Sequence, residues 1–186
     1  MKAKLSFKMV DSDMSDTMGN LLCITGDYNA QIKEYIESIS KADPESDGDT
    51  IIDFAKIIPV KDEHNEQECL EKWGTIRGAS NTQIYFEGEG NPPTLGNLIY
   101  FDSHNTVEKI AQAISAAQPD FSVRYEYCDN SATAAGYKVF YGGYEVESEE
   151  YERLSQDAIT LYRELWGDGG FVYDEKQKKY VSAEAE

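Results

Sequence analysis

Positive charge is scarce in this chain. Its 186 residues hold 17 Lys and Arg against 35 Asp and Glu, a formal net charge of -18. A field of that sign repels phosphate backbones over most of the surface, which argues against non-specific nucleic-acid binding. It attracts basic protein surfaces instead; the plainer reading is that it keeps the protein soluble. Cysteine is scarce too. Cys23, Cys69 and Cys128 form an odd, scattered set with no CxxC pair, which argues against a disulfide scaffold. Histidine occurs only at His64 and His104, and no spacing of His and Cys matches a zinc pattern. Cys69 follows His64 closely, but no third group to orient a nucleophile and its base is identifiable. No stretch approaches the roughly 20 apolar residues of a membrane span, and the opening MKAKLSFKMVDSD has no apolar run long enough for a signal peptide. The expectation is a soluble, cytoplasmic protein.

Other chemistry is missing as well. Gly88-Glu89-Gly90 and Gly167-Asp168-Gly169-Gly170 are glycine-rich, but neither fits GxGxxG or a P-loop, so both read as turns. The acidic groups Asp11, Asp13, Asp16 and Asp43, Glu45, Asp47, Asp49 resemble calcium loops only in charge and lack EF-hand spacing. No metal and no cofactor is expected.

What is present is a foldable core. The chain is 40% hydrophobic and 12% aromatic, well outside the disordered class. The stretch Asp53 to Gly78, DFAKIIPVKDEHNEQECLEKWGTIRG, joins an apolar run stopped by Pro59 to a charged segment and then Trp73-Gly74-Thr75. Around it, residues 3–10 alternate with Leu5, Phe7 and Met9 on one side, a short strand signal. Leu21 to Thr25 is a compact apolar run ended by Gly26, a buried strand. Asp27 is positioned to cap a helix in which Ile32, Tyr35, Ile36 and Ile39 form one stripe.

Ile51 to Ile58 reads as a strand, residues 61–72 as a short exposed helix, and Thr82 to Glu87 and Leu98 to Asp102 as strands. Ser103 or Asn105 is placed to cap a second helix striped by Val107, Ile110, Ala111 and Ile114. Phe121 to Cys128 alternates with Phe121, Val123, Tyr125 and Tyr127 on one face, and Tyr137 to Tyr141 leads to Gly142-Gly143, a hairpin turn. Ser148 to Trp166 reads as a third helix edged by Leu154, Ala158, Leu161 and Leu165. FVYDEKQKKYV makes a last hairpin, and SAEAE an acidic tail.

Helices lying between strands predict an α+β fold: a ferredoxin-like antiparallel sheet with two helices on one face, plus an appended C-terminal helix. The predicted organisation is an N-terminal strand and loop at 1–19, the ferredoxin-like domain at 20–146, and a C-terminal helix and tail at 147–186.

The strand LLCITG, then DFAKIIPV, KWGT before a small-residue loop, IYFDS before a helix, the helix exit AQPDF, the strand SVRYEYCD and AGYKVFYGG together resemble the YubB ferredoxin-like domain family of phage and plasmid proteins. The resemblance runs from about Asn20 to Gly143. IIP and WGT, in that order, are its most specific parts. Two features depart from the family pattern: Ile76-Arg77-Gly78-Ala79 stands where a lysine and a second aromatic usually follow WGT, and Pro92-Pro93 comes earlier than the family's paired prolines. The resemblance implies carriage on a mobile element. It implies no established activity and transfers no catalytic residue.

Six residues stand out as binding candidates. Trp73 and Arg77 are typical interface anchors, though Trp73 could equally plug one end of the sheet. Tyr125 and Tyr127, with Tyr137, Tyr141, Arg124 and Lys138 nearby, could form a base-stacking platform or simply pack. Tyr151 and Trp166 add aromatic area to a helix whose polar face carries Glu149, Glu150, Glu152 and Asp157; that helix either packs on the sheet or docks a partner. The leading expectation is a non-enzymatic accessory protein that binds a host or mobile-element protein with a basic surface, in one version as an acidic nucleic-acid mimic. A nucleic-acid-binding sheet face and a small enzyme are the alternatives.

Overall fold

The first long apolar run sets the sheet. A computed structural model describes residues 17–44, 46, 49–90 and 92–183; the strand expected over 3–10 lies outside them, as does the end of the acidic tail. The run LLCIT sits in β1 (Met18–Thr25), followed by α1 (Asn29–Ser38), whose Ile32 and Ile36 are buried as the stripe requires. Tyr28, not Asp27, holds the N-cap position of α1, and no side chain caps it. The chain then forms a small hairpin, β2 (Ser40–Ala42) and β3 (Thr50–Ile52).

The strand expected over Ile51 to Ile58 stops at Ile52. Asp53 turns it into α2 (Phe54–Ile57), because its carboxylate accepts from the Ala55 N–H at 3.1 Å. A local cap thus overrides the β-branched residues that suggested extension. Helix α3 (Glu66–Trp73) is capped by Asn65 and ends at Gly74. Strands β4 (Ser80–Tyr85) and β5 (Asn97–Ser103), helix α4 (Glu108–Ala117), then β6 (Ser122–Asp129) and β7 (Ala135–Tyr141) follow. Neither Ser103 nor Asn105 caps α4; its N-cap residue is Val107, and Ser103 Oγ donates to Asn105 O instead.

The third helix begins later than expected. Gly142 and Gly143 have φ of 58° and 81°, a two-residue turn that glycine favours. It sends Tyr144–Glu150 back along β7 as β8. Only then does Ser155 cap α5 (Gln156–Trp166), its Oγ accepting from the Ala158 N–H. Strand β8 runs across residue 146, so Glu147–Glu150 belong to the sheet with β7. A last hairpin, β9 (Phe171–Asp174) and β10 (Lys179–Ser182), follows the helix.

The six long strands form one antiparallel sheet in the order β4-β5-β1-β6-β7-β8. Five helices among the described residues make this a mixed α+β fold. One face carries α1 to α4: Leu22, Ile24, Ile99, Phe101, Val123 and Tyr125 of the strands meet Ile32, Ile36, Phe54, Trp73, Ile110 and Ile114. On the other face, Ala158, Ile159, Leu161 and Leu165 of α5 cover Leu21, Tyr100, Cys128 and Ala135, with Tyr180 beside them. Both faces of β1 are therefore buried, which is why it reads as an unbroken apolar run. Gly19 makes the second packing possible, since a Cβ there would lie 3.0 Å from the Trp166 ring.

Two buried polar groups yield predictions. Tyr125 is fully buried; its hydroxyl donates to Asn20 Oδ1 at 2.9 Å and accepts from the Val107 N–H at 2.9 Å. Tyr125→Phe orphans both partners, so urea unfolding should show a loss of about 1–3 kcal/mol with an unchanged slope. Asp102 is 6% exposed and accepts from Asn81 Nδ2 at 2.7 Å; burial pushes its carboxyl up to about 6, against the pull of that bond. Between the unfolded value near 3.9 and about 6, the unfolded chain has lost a proton that the folded chain keeps. The fold therefore loses stability as pH rises through that window. Asp102→Asn keeps an acceptor oxygen and removes the charge. Thermal melts should show the variant more stable than wild type by about 2–3 kcal/mol above pH 7, with the difference gone at pH 4 and below.

Candidate protein-binding surface

Trp73 ends α3 pointing inward. It is fully buried, its indole N–H donates to Ile58 O at 2.7 Å, and its ring meets Phe54 edge-on at 5.7 Å. Gly74 takes the left-handed conformation (φ 89°) that stops the helix, its N–H returning to Leu70 O, and a Cβ there would lie 2.8 Å from Thr106 O. The Trp-Gly-Thr motif is thus a helix stop locked into the core. Arg77, beyond the motif, is exposed and lies 3.6 Å from Glu66.

Tyr125 and Tyr127 do share a face, stacked with centroids 5.5 Å apart, but α4 and the core cover it. Lys138 lies opposite Tyr125 and is held by Glu108 at 2.6 Å and Glu145 at 3.3 Å. Arg124 and Tyr137 belong to the other face of the sheet. The expected platform of exposed tyrosines beside Arg124 and Lys138 is therefore not assembled. Period-two spacing fixes which residues share a face; the helix that buries one of the two faces is a long-range matter.

The other face carries the carboxylates. The Arg124 guanidinium lies 3.7 Å from the centre of the Tyr137 ring and pairs with Glu126 at 2.6 Å. The Tyr137 hydroxyl donates to Glu147 at 2.5 Å, and its ring meets Tyr151 at 6.2 Å. Glu149 stands opposite Tyr137 in the register. The Cys23 thiol is pushed up by burial first and then by Glu126, against Arg124, with Glu164 and Glu87 adding to it. Burial, then Glu164 and Glu126, likewise raise the Tyr100 hydroxyl. Glu87 after β4, Glu126 of β6 and Glu164 of α5 thus all act on the Cys23 thiol, and Arg124 among them is already paired to Glu126. Tyr151 and Trp166 are both half-buried, Tyr151 against Tyr137 and Trp166 over Gly19, its indole donating to Cys128 O at 3.0 Å.

All seven residues of β8 are exposed, and Glu145, Glu147, Glu149 and Glu150 line this outer edge strand. Charge on an edge strand discourages pairing with further copies, and like charges directly opposite one another destabilise a pair. Among the described residues no group of three or more His, Cys, Asp or Glu is gathered as a metal site, and no helix is long and apolar enough to cross a membrane.

Sequence reasoning gave no sign of an open groove of about 530 Å³ between the end of α1, the β2–β3 hairpin and β4. Ile36, Ala42, Ile84 and Phe86 supply its apolar lining, Ser40, Thr50 and Thr82 its hydroxyls, and Glu37, Lys41 and Asp49 its charges. These residues come from four elements, and no local pattern connects them.

No protein-family model and no curated protein matches the chain. A crystal structure of protein api92 from Yersinia pseudotuberculosis, assigned to the DUF1281 family model, is similar at 19% identity and a TM-score of 0.38. That match covers 47% of this chain and 30% of the other protein, a likeness too slight to carry an argument about fold or function.

Proposed function

We propose that this chain is a non-enzymatic accessory protein of a phage or other mobile element that binds a basic protein surface, its carboxylates standing in for nucleic-acid phosphates. The observation that carries the reading is the outer edge strand β8, which exposes Glu145, Glu147, Glu149 and Glu150 within seven residues, in a chain of net charge -18. Such a surface attracts a basic partner over a range set by salt. Carboxylates carried on a strand start from a fixed backbone, so less ordering is needed when they meet a basic groove.

The phage or plasmid setting rests on the resemblance to the YubB ferredoxin-like family. It is supported by where the quoted segments fall: LLCITG in β1, IYFDS in β5, SVRYEYCD in β6 and AGYKVFYGG in β7 with its turn. A ferredoxin-like core is supported by the alternation β1-α1-β4 and β5-α4-β6, with the four strands adjacent in the order β4-β5-β1-β6. In this reading β7, β8 and α5 extend that core, and the protein works in the cytoplasm, where its three free cysteines stay reduced.

Immobilised protein exposed to nuclease-treated bacterial lysate should capture basic proteins at low salt and release them at high salt. Glu147→Gln/Glu149→Gln should weaken that capture about three- to tenfold. Capture indifferent to both salt and substitution would overturn the reading.

A further inference from the structure

The groove beside β4 differs in kind from the acidic surface. Its lining is apolar where it meets the core: Ile36 is fully buried, and Ile84 and Phe86 pack partly buried against the core cluster. The Thr82 hydroxyl is buried there without a hydrogen-bond partner, an arrangement that carries a cost unless something else supplies the bond.

Charge at the groove is unbalanced. Its cation, Lys41, is held at 3.1 Å by Asp53 and 3.3 Å by Glu63. Glu37, near the end of α1, and Asp49, before β3, are both exposed, Asp49 accepting the Ser46 hydroxyl. The Phe86 ring already receives one ammonium, that of Lys33, 4.4 Å from its centre. A matching guest needs aliphatic length for Ile84 and Phe86 and positive charge for Glu37 and Asp49. Lysine and arginine side chains combine a long apolar stem with a cationic head, and a groove of about 530 Å³ is in the size range of ligand sites, about 300–1,000 Å³.

We propose that this groove is the anchoring site for a short lysine- or arginine-bearing segment of the basic protein partner, the stem of one basic side chain lying on Ile84 and Phe86 and its head between Glu37 and Asp49. The proposal rests on the preceding functional reading and locates the specific contact away from β8. The acidic surface then supplies long-range attraction, and the groove supplies selection.

The test is a titration of the full chain with blocked pentalysine and blocked pentaarginine, read by amide chemical shifts at near-physiological salt. Penta-acetyl-lysine serves as the uncharged control. Shifts should centre on Glu37, Thr50, Thr82 and Ile84, and the control should leave them unmoved. Glu37→Arg, at an exposed helix position, should weaken binding about five- to tenfold, whereas Glu147→Gln/Glu149→Gln should change it less than twofold. Preserved dispersion of the remaining amide signals separates a lost contact from a lost fold. Shifts centred on β8 and Tyr137, with the groove silent, would overturn the anchoring site and leave the acidic-binder reading standing. Absence of binding by either cationic peptide, at low salt as well, would overturn both.

Discussion

Asn20 is the joint on which the structure turns. It sits in the middle strand, 1% exposed, and uses both ends of its amide. The nitrogen donates to Met18 O, Phe101 O and Ser103 Oγ, and the oxygen accepts from Tyr125. Tyr125 in turn receives the Val107 N–H at the start of α4. One amide thus ties β1 to both neighbouring strands and, through a phenol, fixes where the helix begins. A buried polar network satisfied at each step specifies a single arrangement, because any slip in register leaves a donor or acceptor stranded in apolar surroundings.

Around that joint, the two faces of the sheet do different work. The helical face is apolar and aromatic, with Phe54 set edge-on to both Trp73 and Phe101 at 5.7 Å. The α5 face is apolar only where the helix lies. Beyond α5 it turns to carboxylates, ending in the exposed strand β8. A sheet whose interior strands are covered twice and whose outer strand is charged spends its hydrophobic residues at the centre and keeps its field at the rim. That division lets the rim bind without loosening the core.

Much of this was legible in the sequence, and the failures have local causes. The stripe Ile32, Tyr35, Ile36, Ile39 and the alternation from Phe121 to Tyr127 are periodic signals that packing did not override. Ile51 to Ile58 misled because two short elements, a strand and a capped turn of helix, share one apolar composition, and only Asp53 marks the joint. The start of α5 was misplaced because the acidic run after Gly142-Gly143 suits a helix N-terminus as well as an exposed edge strand; Ser155 was the better cap. Of the binding candidates, Trp73, Tyr125 and Tyr127 belong to the core, Tyr151 and Trp166 are half-buried against the α5-side cluster, and Arg77 stands apart on the α3 side. The groove stayed hidden because it exists only once α1, the small hairpin and β4 have met.

The central place of β1 also has a consequence in time. It precedes every other described strand in the chain, yet its partners are β5 and β6: Leu22 pairs with Ile99 on one side and with Tyr125 on the other. During synthesis the apolar run Leu21 to Ile24 must wait, unpaired, for β5 (Asn97–Ser103), and one side of it waits further for β6 (Ser122–Asp129). Long-range pairing of this kind is slow and exposes apolar surface while it is pending. The strongly negative chain is suited to that wait, since nascent copies repel one another before the sheet can close around its first strand.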